Sequence, residues 1–253
     1  MKEILVVKDL HKSFGGVTAL NGVSLSIDSK SIIGLIGPNG SGKTTLFNVI
    51  TGFYTSDKGE VYLEGERING LSTHDISLKG LIRTFQITRV FPKMTVLENM
   101  LVAPKKQIGE GIFSSFFNWK KVLDQEYFNK KKAYELLKFL EIEPLKDEYA
   151  GNLSGGQQKI LDLGRVLMTD PKIVLLDEPI AGVNPTLAKK IFEKIIDLRN
   201  HKDMTFLIVE HNMDLLMNYC EKIYVMNKGQ IVAYGTSSEI QNNEKVIEVY
   251  LGG

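Results

Sequence analysis

Eight residues between an apolar run and a helical pattern constrain this chain more than any other feature. They match the spacing of a phosphate-binding loop and read Gly37, Pro38, Asn39, Gly40, Ser41, Gly42, Lys43, Thr44. The apolar run Ile32 to Ile36 before them predicts a buried strand, and Lys43 to Ile50 predicts a helix that ends at Gly52. Because such a loop requires a strand on one side and a helix on the other, the chain must contain an α/β core.

The phosphate loop, residues 37–44, would bind a polyphosphate mainly through its backbone. Its glycines let N–H groups turn inward, and the N-terminus of the following helix adds partial positive charge. Lys43 would reach the β- and γ-phosphates, while Thr44 would give its hydroxyl to Mg²⁺. Thr45 packs in the helix and completes the nucleotide-binding run. The sequence therefore predicts a nucleotide and Mg²⁺ as ligands.

A second apolar run, Ile173 to Leu176, ends in two carboxylates, Asp177 and Glu178. Successive side chains at a strand end point in different directions, so the two acids can have different tasks. Asp177 is placed to hold Mg²⁺. Glu178 can polarise the attacking water.

A third segment contains Leu153, Ser154, Gly155, Gly156 and Gln157. Exposed N–H groups, a serine hydroxyl and a helix dipole at the start of a helix predict a second anion site. Since one phosphate chain does not need two such sites, we infer that the second one serves the nucleotide of another copy.

The remaining patterns predict a P-loop α/β core with an antiparallel β subdomain and an inserted α-helical subdomain. Alternating apolar residues predict half-exposed strands around Val23 to Ile27 and Val61 to Leu63. Continuous apolar runs at Ile32 to Ile36, Ile173 to Leu176, Phe206 to Val209 and Ile223 to Met226 predict a buried parallel sheet. We expect one domain over 1–253, with the core at 1–86 and 156–253 and the helical subdomain at 87–155.

Composition limits the partners and the compartment. The 31 Lys and Arg residues against 30 Asp and Glu residues give a net charge of +1, which does not favour nucleic acid. The single cysteine, Cys220, excludes an internal disulfide and a structural zinc site and is expected in the core of a cytosolic protein. No apolar run approaches the roughly 20 residues of a membrane helix.

Residues 104–132 carry seven lysines, three acids and the aromatic residues Phe113, Phe116, Phe117 and Trp119. Two interpretations are open. The segment is either a loop whose aromatic rings pack on the helices, or a contact surface for a membrane protein or lipid headgroups.

These motifs resemble the ATP-binding cassette (ABC) ATPases over essentially the whole chain and in the same order. The resemblance implies that Gln86 senses magnesium and water and contacts a membrane subunit. It also implies that His211 is the switch histidine on the γ-phosphate and that Phe14 stacks on adenine. The implied catalytic residues are Glu178, His211, Gln86 and Lys43; the implied metal ligands are Thr44, Gln86 and Asp177; and the second anion site is Ser154, Gly155, Gly156 and Gln157.

Two positions depart from the family pattern. Where members often have an aspartate after the paired carboxylates, this chain has Asn184, which can also cap a helix that begins at Pro185. The adenine position holds Phe14 instead of tyrosine, so stacking is retained but the hydroxyl is lost.

Within the family, Arg83 to Gln86, Val90 to Asn99 and Val246 to Gly252 resemble the ATP-binding subunits of branched-chain amino acid importers. Lipopolysaccharide-exporter ATPases share part of this pattern. The resemblance implies that two copies, or this chain and a related one, close around two Mg-ATP and move membrane-spanning permease subunits. A solute-binding protein is a further implied partner, and the implied location is peripheral, on the cytoplasmic face of the cell membrane.

Two other classes fit the sequence less well. Soluble cassette ATPases that act on ribosomes or DNA usually carry two cassettes or a long coiled coil, and this chain lacks sustained heptads. For a small GTPase or kinase, the near-match Asn227 to Gln230 lacks the aspartate expected for guanine recognition and reads as a hairpin turn.

Overall fold

A computed structural model describes residues 2–84, 90–105, 107–108 and 119–251, and of Leu251 it describes only the backbone. The chain divides into two compact units. The first unit comprises Met1–Gln86, Lys172–Ala181 and Lys189–Gly253, and the second comprises Ile87–Pro171 and Gly182–Ala188.

The strands belong to two sheets. They are β1 (Glu3–Phe14), β2 (Val17–Asp28), β3 (Ile32–Ile36), β4 (Lys58–Leu63), β5 (Glu66–Arg67), β6 (Leu81–Arg83), β7 (Ile173–Asp177), β8 (Thr205–Val209), β9 (Lys222–Asn227) and β10 (Gln230–Gly235).

The helices vary from single turns to the long helix of the second unit. They are α1 (Lys43–Ile50), α2 (Thr73–Leu78), α3 (Val96–Leu101), α4 (Trp119–Phe139), α5 (Gly155–Met168), α6 (Pro185–Lys202), α7 (Met213–Tyr219), α8 (Ser237–Gln241) and α9 (Glu244–Leu251), with 3-10 turns at Glu143–Leu145 and Ala150–Asn152.

The smaller sheet has the strand order β2-β1-β4-β5, with antiparallel pairing throughout. Val23, Leu25 and Ile27 of β2 are buried while the residues between them are partly or fully exposed. The predicted half-exposed strands and small sheet are therefore confirmed.

The larger sheet has the order β10-β9-β3-β8-β7-β6. Strands β3, β6, β7, β8 and β9 pair in parallel, and β10 pairs antiparallel with β9 at one edge. Every residue of β3, β7 and β8 is buried, which confirms the prediction from the apolar runs. Because parallel strands end at one edge, the segments that follow β3, β7 and β8 meet there.

In the second unit, α3, α4 and α5 bury a common apolar face. Met100, Leu137 and Leu161 are fully buried. Gly164 of α5 leaves no room for a side chain, since an added Cβ would be 2.9 Å from the Met100 sulfur and 3.0 Å from Leu140 Cδ1. The predicted capping box at the start of α3, between Thr95 and Glu98, is present.

Cys220 ends α7 and is buried, as predicted. Burial raises the pKa of its thiol to about 12, so the thiol stays protonated at neutral pH. In the part of the chain that the structure describes, no helix combines the length and apolarity needed to cross a membrane.

Candidate functional site

The phosphate loop turns through backbone conformations that only glycine adopts easily. Gly40 and Gly42 have φ angles of 78° and 105°. A Cβ at Gly42 would lie 2.5 Å from the Ala19 carbonyl oxygen, so a side chain there would displace backbone. The Ser41 carbonyl accepts a hydrogen bond from the Gly229 N–H at 2.9 Å, which fixes the loop to the β9–β10 turn.

Lys43, the first residue of α1, places its amine inside this loop. Its Nζ donates to the carbonyls of Gly37 (2.8 Å) and Pro38 (3.0 Å), and the residue is 7% exposed. Burial lowers the pKa of Lys43, while the negative charges of Glu178 and Asp177 act in the opposite direction. The side-chain amine of Lys43 therefore lies at the centre of the loop. Thr44 beside it is exposed and Thr45 is half-buried.

Asp177 ends β7 and is 5% exposed. Its Oδ2 accepts a hydrogen bond from Arg83 Nη2 at 2.6 Å, and Arg83 stands at the end of the neighbouring strand β6. Sequence reasoning missed Arg83 as a site residue. A basic residue at the end of a strand was visible, but only the pairing of β6 with β7 places it beside Asp177.

Glu178 follows with φ at +49°, a left-handed conformation that is uncommon for a residue other than glycine. Its N–H donates to the Val209 carbonyl at 2.9 Å, which ties it to β8. Its Oε1 lies 3.1 Å from Nε2 of His211. The structure thus brings together two residues that the sequence places 33 positions apart, at the shared edge of the parallel sheet.

Glu210 was not predicted as a site residue, although a carboxylate directly after the apolar run Phe206 to Val209 was a usable signal. It is 5% exposed. Its Oε1 accepts the Ile180 N–H at 2.9 Å and its Oε2 accepts the His211 N–H at 3.2 Å. One buried carboxylate therefore links the loop after Glu178 to the backbone of His211.

The donor set at Thr44 and Asp177 fits a magnesium ion. Hydroxyl and carboxylate oxygens are hard ligands, and Mg²⁺ usually takes only one or two groups from protein and the rest from phosphate and water. Among the described residues no group of three or more His, Cys, Asp or Glu could hold a metal by itself. Gln86, the third predicted ligand, lies outside the described residues.

Phe14 belongs to an aromatic cluster in the first unit. Its ring is 41% exposed, meets Tyr54 edge to face at 5.1 Å, and has Lys12 Nζ 5.2 Å from its centroid. An exposed ring at the end of β1 leaves a surface on which a base could stack, and the adenine contact stays a prediction.

The second glycine segment, Ser154 to Gln157, opens α5 in the second unit. Ser154 Oγ accepts the Gln157 N–H at 3.3 Å, and Gln157 Oε1 accepts the Ser154 N–H at 2.9 Å, forming a capping box. A Cβ at Gly155 would meet nothing within 4 Å, whereas one at Gly156 would overlap Leu187 Cδ2. Packing inside the chain thus explains why position 156 is glycine, but it does not explain the glycine at position 155.

Asn184 caps α6, because its Oδ1 accepts the Leu187 N–H at 3.0 Å. The helix-cap interpretation of Asn184 and Pro185 is confirmed. Of the basic aromatic segment, residues 106 and 109–118, including Phe113, Phe116 and Phe117, lie outside the described residues. Trp119 is 64% exposed at the start of α4, and both interpretations of the segment stay open.

Two family models and several known proteins match this chain. Residues 20–181 match the family model for ABC transporters, and residues 230–253 match that for branched-chain amino acid ATP-binding cassette transporters. One relative is the Archaeoglobus fulgidus protein named probable branched-chain amino acid transport ATP-binding protein LivG. It is 46% identical to this chain, and the match covers 99% of this chain and 96% of the relative's length.

Solved structures show the same fold. The ADP conformation of an ATP-binding cassette of an ABC transporter matches with a TM-score of 0.85 at 42% identity, covering 100% of both chains. A more distant cassette, solved as a dimer in a post-hydrolysis state with ADP and phosphate, matches with a TM-score of 0.76 at 25% identity, covering 92% of this chain and 99% of that one.

Proposed function

The chain belongs to the ABC transporter family as an ATP-binding, ATP-hydrolysing subunit, and we propose that it drives an importer of branched-chain or related amino acids. Two similarities support this substrate class. One is the name shared by relatives that match along the whole chain, and the other is the match of residues 230–253 to a family model of the same transporters.

The pair of Glu178 and His211 is the observation that carries the hydrolytic part of the proposal. Glu178 accepts a proton from the attacking water at its carboxylate, and His211, 3.1 Å away, orients that carboxylate and contacts the γ-phosphate.

The phosphate loop and Lys43 bind the β- and γ-phosphates. In this proposal the Lys43 amine exchanges its hydrogen bonds to the Gly37 and Pro38 carbonyls for bonds to phosphate oxygens. Thr44, Asp177 and Gln86 would hold Mg²⁺, which when bound neutralises charge on the β- and γ-phosphates. Phe14 would stack on adenine with its exposed ring.

The second glycine segment completes the site of another copy. Family cassettes dimerise and pair with membrane permeases. We assign Ser154, Gly155, Gly156 and Gln157 to the γ-phosphate bound by the partner, and the second compact unit to the helical subdomain that presents them. Hydrolysis removes the shared anion and weakens the dimer. The subunit would act peripherally on the cytoplasmic face of the cell membrane, with a solute-binding protein as a further partner.

The substrate class can be tested in the source cell. We expect that replacing Lys43 by alanine in the chromosomal copy abolishes uptake of labelled leucine and valine and leaves lysine uptake at its normal rate. Unchanged leucine and valine uptake would overturn the importer assignment. A Glu178→Gln pull-down with Mg-ATP from solubilised membranes then separates the alternatives: an exporter permease supports the lipopolysaccharide class, and ribosomal or DNA-associated proteins support a soluble cassette.

A further inference from the structure

We propose that Arg83 positions Asp177, holding one carboxylate oxygen so that the other is presented to Mg²⁺. The proposal rests on the proposed function, because the assignment of Asp177 to the metal belongs to it. Arg83 does not contact the nucleotide in this account. It acts through Asp177 and is therefore a positioning residue.

The contact between Arg83 and Asp177 is short and almost completely buried. Nη2 of Arg83 lies 2.6 Å from Oδ2 of Asp177, and the two side chains are 10% and 6% exposed. A short, charge-assisted hydrogen bond in such a buried place holds its acceptor in one position. Arg83 therefore fixes the orientation of the Asp177 carboxylate.

Arg83 is itself held from the opposite side by α1. Its Nη1 donates to Asn48 Oδ1 at 2.5 Å, and its guanidinium carbon lies 5.4 Å from the centroid of the Phe47 ring. Asn48 follows Thr44 by four residues and so shares its helix face. Arg83 thereby joins the helix that carries the predicted metal ligand Thr44 to the strand that carries Asp177.

The two oxygens of Asp177 differ in their partners. Within the described residues, the hydrogen bond to the Asp177 side chain goes to Oδ2, and none is found for Oδ1. In the same part of the chain, Nε of Arg83 is buried without a hydrogen-bond partner. The arginine thus commits both terminal nitrogens to the bridge between Asn48 and Asp177 and leaves Oδ1 for the metal.

Lysine could not replace this bridge. It offers a single point charge on a flexible stem, whereas the planar guanidinium presents donors in two fixed directions. Arg83→Lys keeps the positive charge and breaks the bridge. Arg83→Met removes both, so the two variants separate charge from geometry.

The direct test is Mn²⁺ binding to the full chain saturated with ADP, which the protein does not hydrolyse. Water-proton relaxation distinguishes Mn²⁺ in the ternary complex from Mn²⁺ bound to ADP in solution. For Arg83→Met we expect the Kd for Mn²⁺ to rise at least about tenfold, and for Arg83→Lys about three- to tenfold, because an arginine bridge orients its acceptor. ADP affinity in EDTA should stay within about twofold, since Arg83 does not contact the nucleotide.

Arg199→Met is the matched control. Arg199 also pairs with a carboxylate at 2.6 Å, that of Glu221, but both side chains are partly exposed. Its loss should leave the Mn²⁺ affinity unchanged. If Arg83→Met does not fold, Asn48→Ala keeps the test, since it releases one end of the bridge, and it should raise the Kd for Mn²⁺ about threefold.

An unchanged Mn²⁺ affinity in the folded Arg83 variants, or in Asn48→Ala, would overturn the proposal. So would an equal loss of ADP affinity with and without metal, because that pattern marks a purely structural role. If the wild-type chain with ADP binds no Mn²⁺, the metal site of the proposed function fails, and the role of Arg83 fails with it.

Discussion

The phosphate loop and the second glycine segment are both glycine-rich and both open a helix, yet they are built differently. The phosphate loop uses positive φ angles at Gly40 and Gly42 and buries the Lys43 amine among its own carbonyls. The second segment, Ser154 to Gln157, has no positive φ angle, and its polar groups pair with one another in a capping box.

The difference shows which region is complete in one chain. In the phosphate loop, the conformation or the close packing of the chain explains the glycines. At Gly155 neither does, because the residue is exposed and a Cβ there would meet nothing within 4 Å. A glycine that neither the backbone conformation nor the packing of its own chain requires is typical of a position where another molecule approaches the backbone closely. The second segment is therefore interpreted as half of a site.

The largest expected effect separates ATP binding by the phosphate loop from hydrolysis by Glu178. Glu178→Gln should lower ATP hydrolysis by at least about 100-fold, because it removes the proton acceptor, while ATP binding persists. Unable to remove the shared anion, the variant should accumulate an ATP-dependent dimer. Phosphate release and light scattering after size-exclusion chromatography measure the two effects. Unchanged hydrolysis would contradict the role given to Glu178.

The next effect tests the second segment alone. Gly155→Asp places a negative charge where the partner's γ-phosphate would lie, so ATP-dependent dimerisation in the Glu178→Gln background should weaken by more than about tenfold. The open space at Gly155 and the helix N-terminus both accommodate an aspartate, so monomer stability should be retained. Retained dimerisation would remove the segment from the interface.

The adjacent glycine gives a contrasting expectation. Gly156→Ala would press against Leu187 and should lower the free energy of unfolding by about 1 to 3 kcal/mol, as overpacking does. Urea denaturation of the nucleotide-free chain checks this. Equal stability for the Gly155 and Gly156 variants would erase the distinction between a packing glycine and an interface glycine.

The smallest effect concerns the capping box. Ser154→Ala removes the acceptor for the Gln157 N–H and should lower the free energy of unfolding by about 1 kcal/mol. In a chain of this size that corresponds to a fall in Tm of about 2–4 °C, measurable by differential scanning calorimetry. An unchanged Tm would show that the cap contributes nothing in the monomer.

The sequence was sufficient for features encoded locally. The buried strands came from continuous apolar runs, the start of α3 from Thr95 and Glu98, and the phosphate loop from its glycine spacing. In each case the residues that determine the structure are neighbours in sequence, so no knowledge of the sheet order was needed.

The features that sequence reasoning missed depend on which strands become neighbours. Arg83 meets Asp177 because β6 pairs with β7, and Glu210 reaches Ile180 because β7 pairs with β8.

Mixing two inactive variants tests the central claim that each site is shared between two chains. Lys43→Ala disables the phosphate loop and Gly155→Asp disables the second segment. Mixed together, they should recover up to about a quarter of the wild-type hydrolysis rate, because half of randomly formed pairs are mixed and each mixed pair contains one intact site. Absence of recovery at every mixing ratio, with both variants folded, would contradict the account.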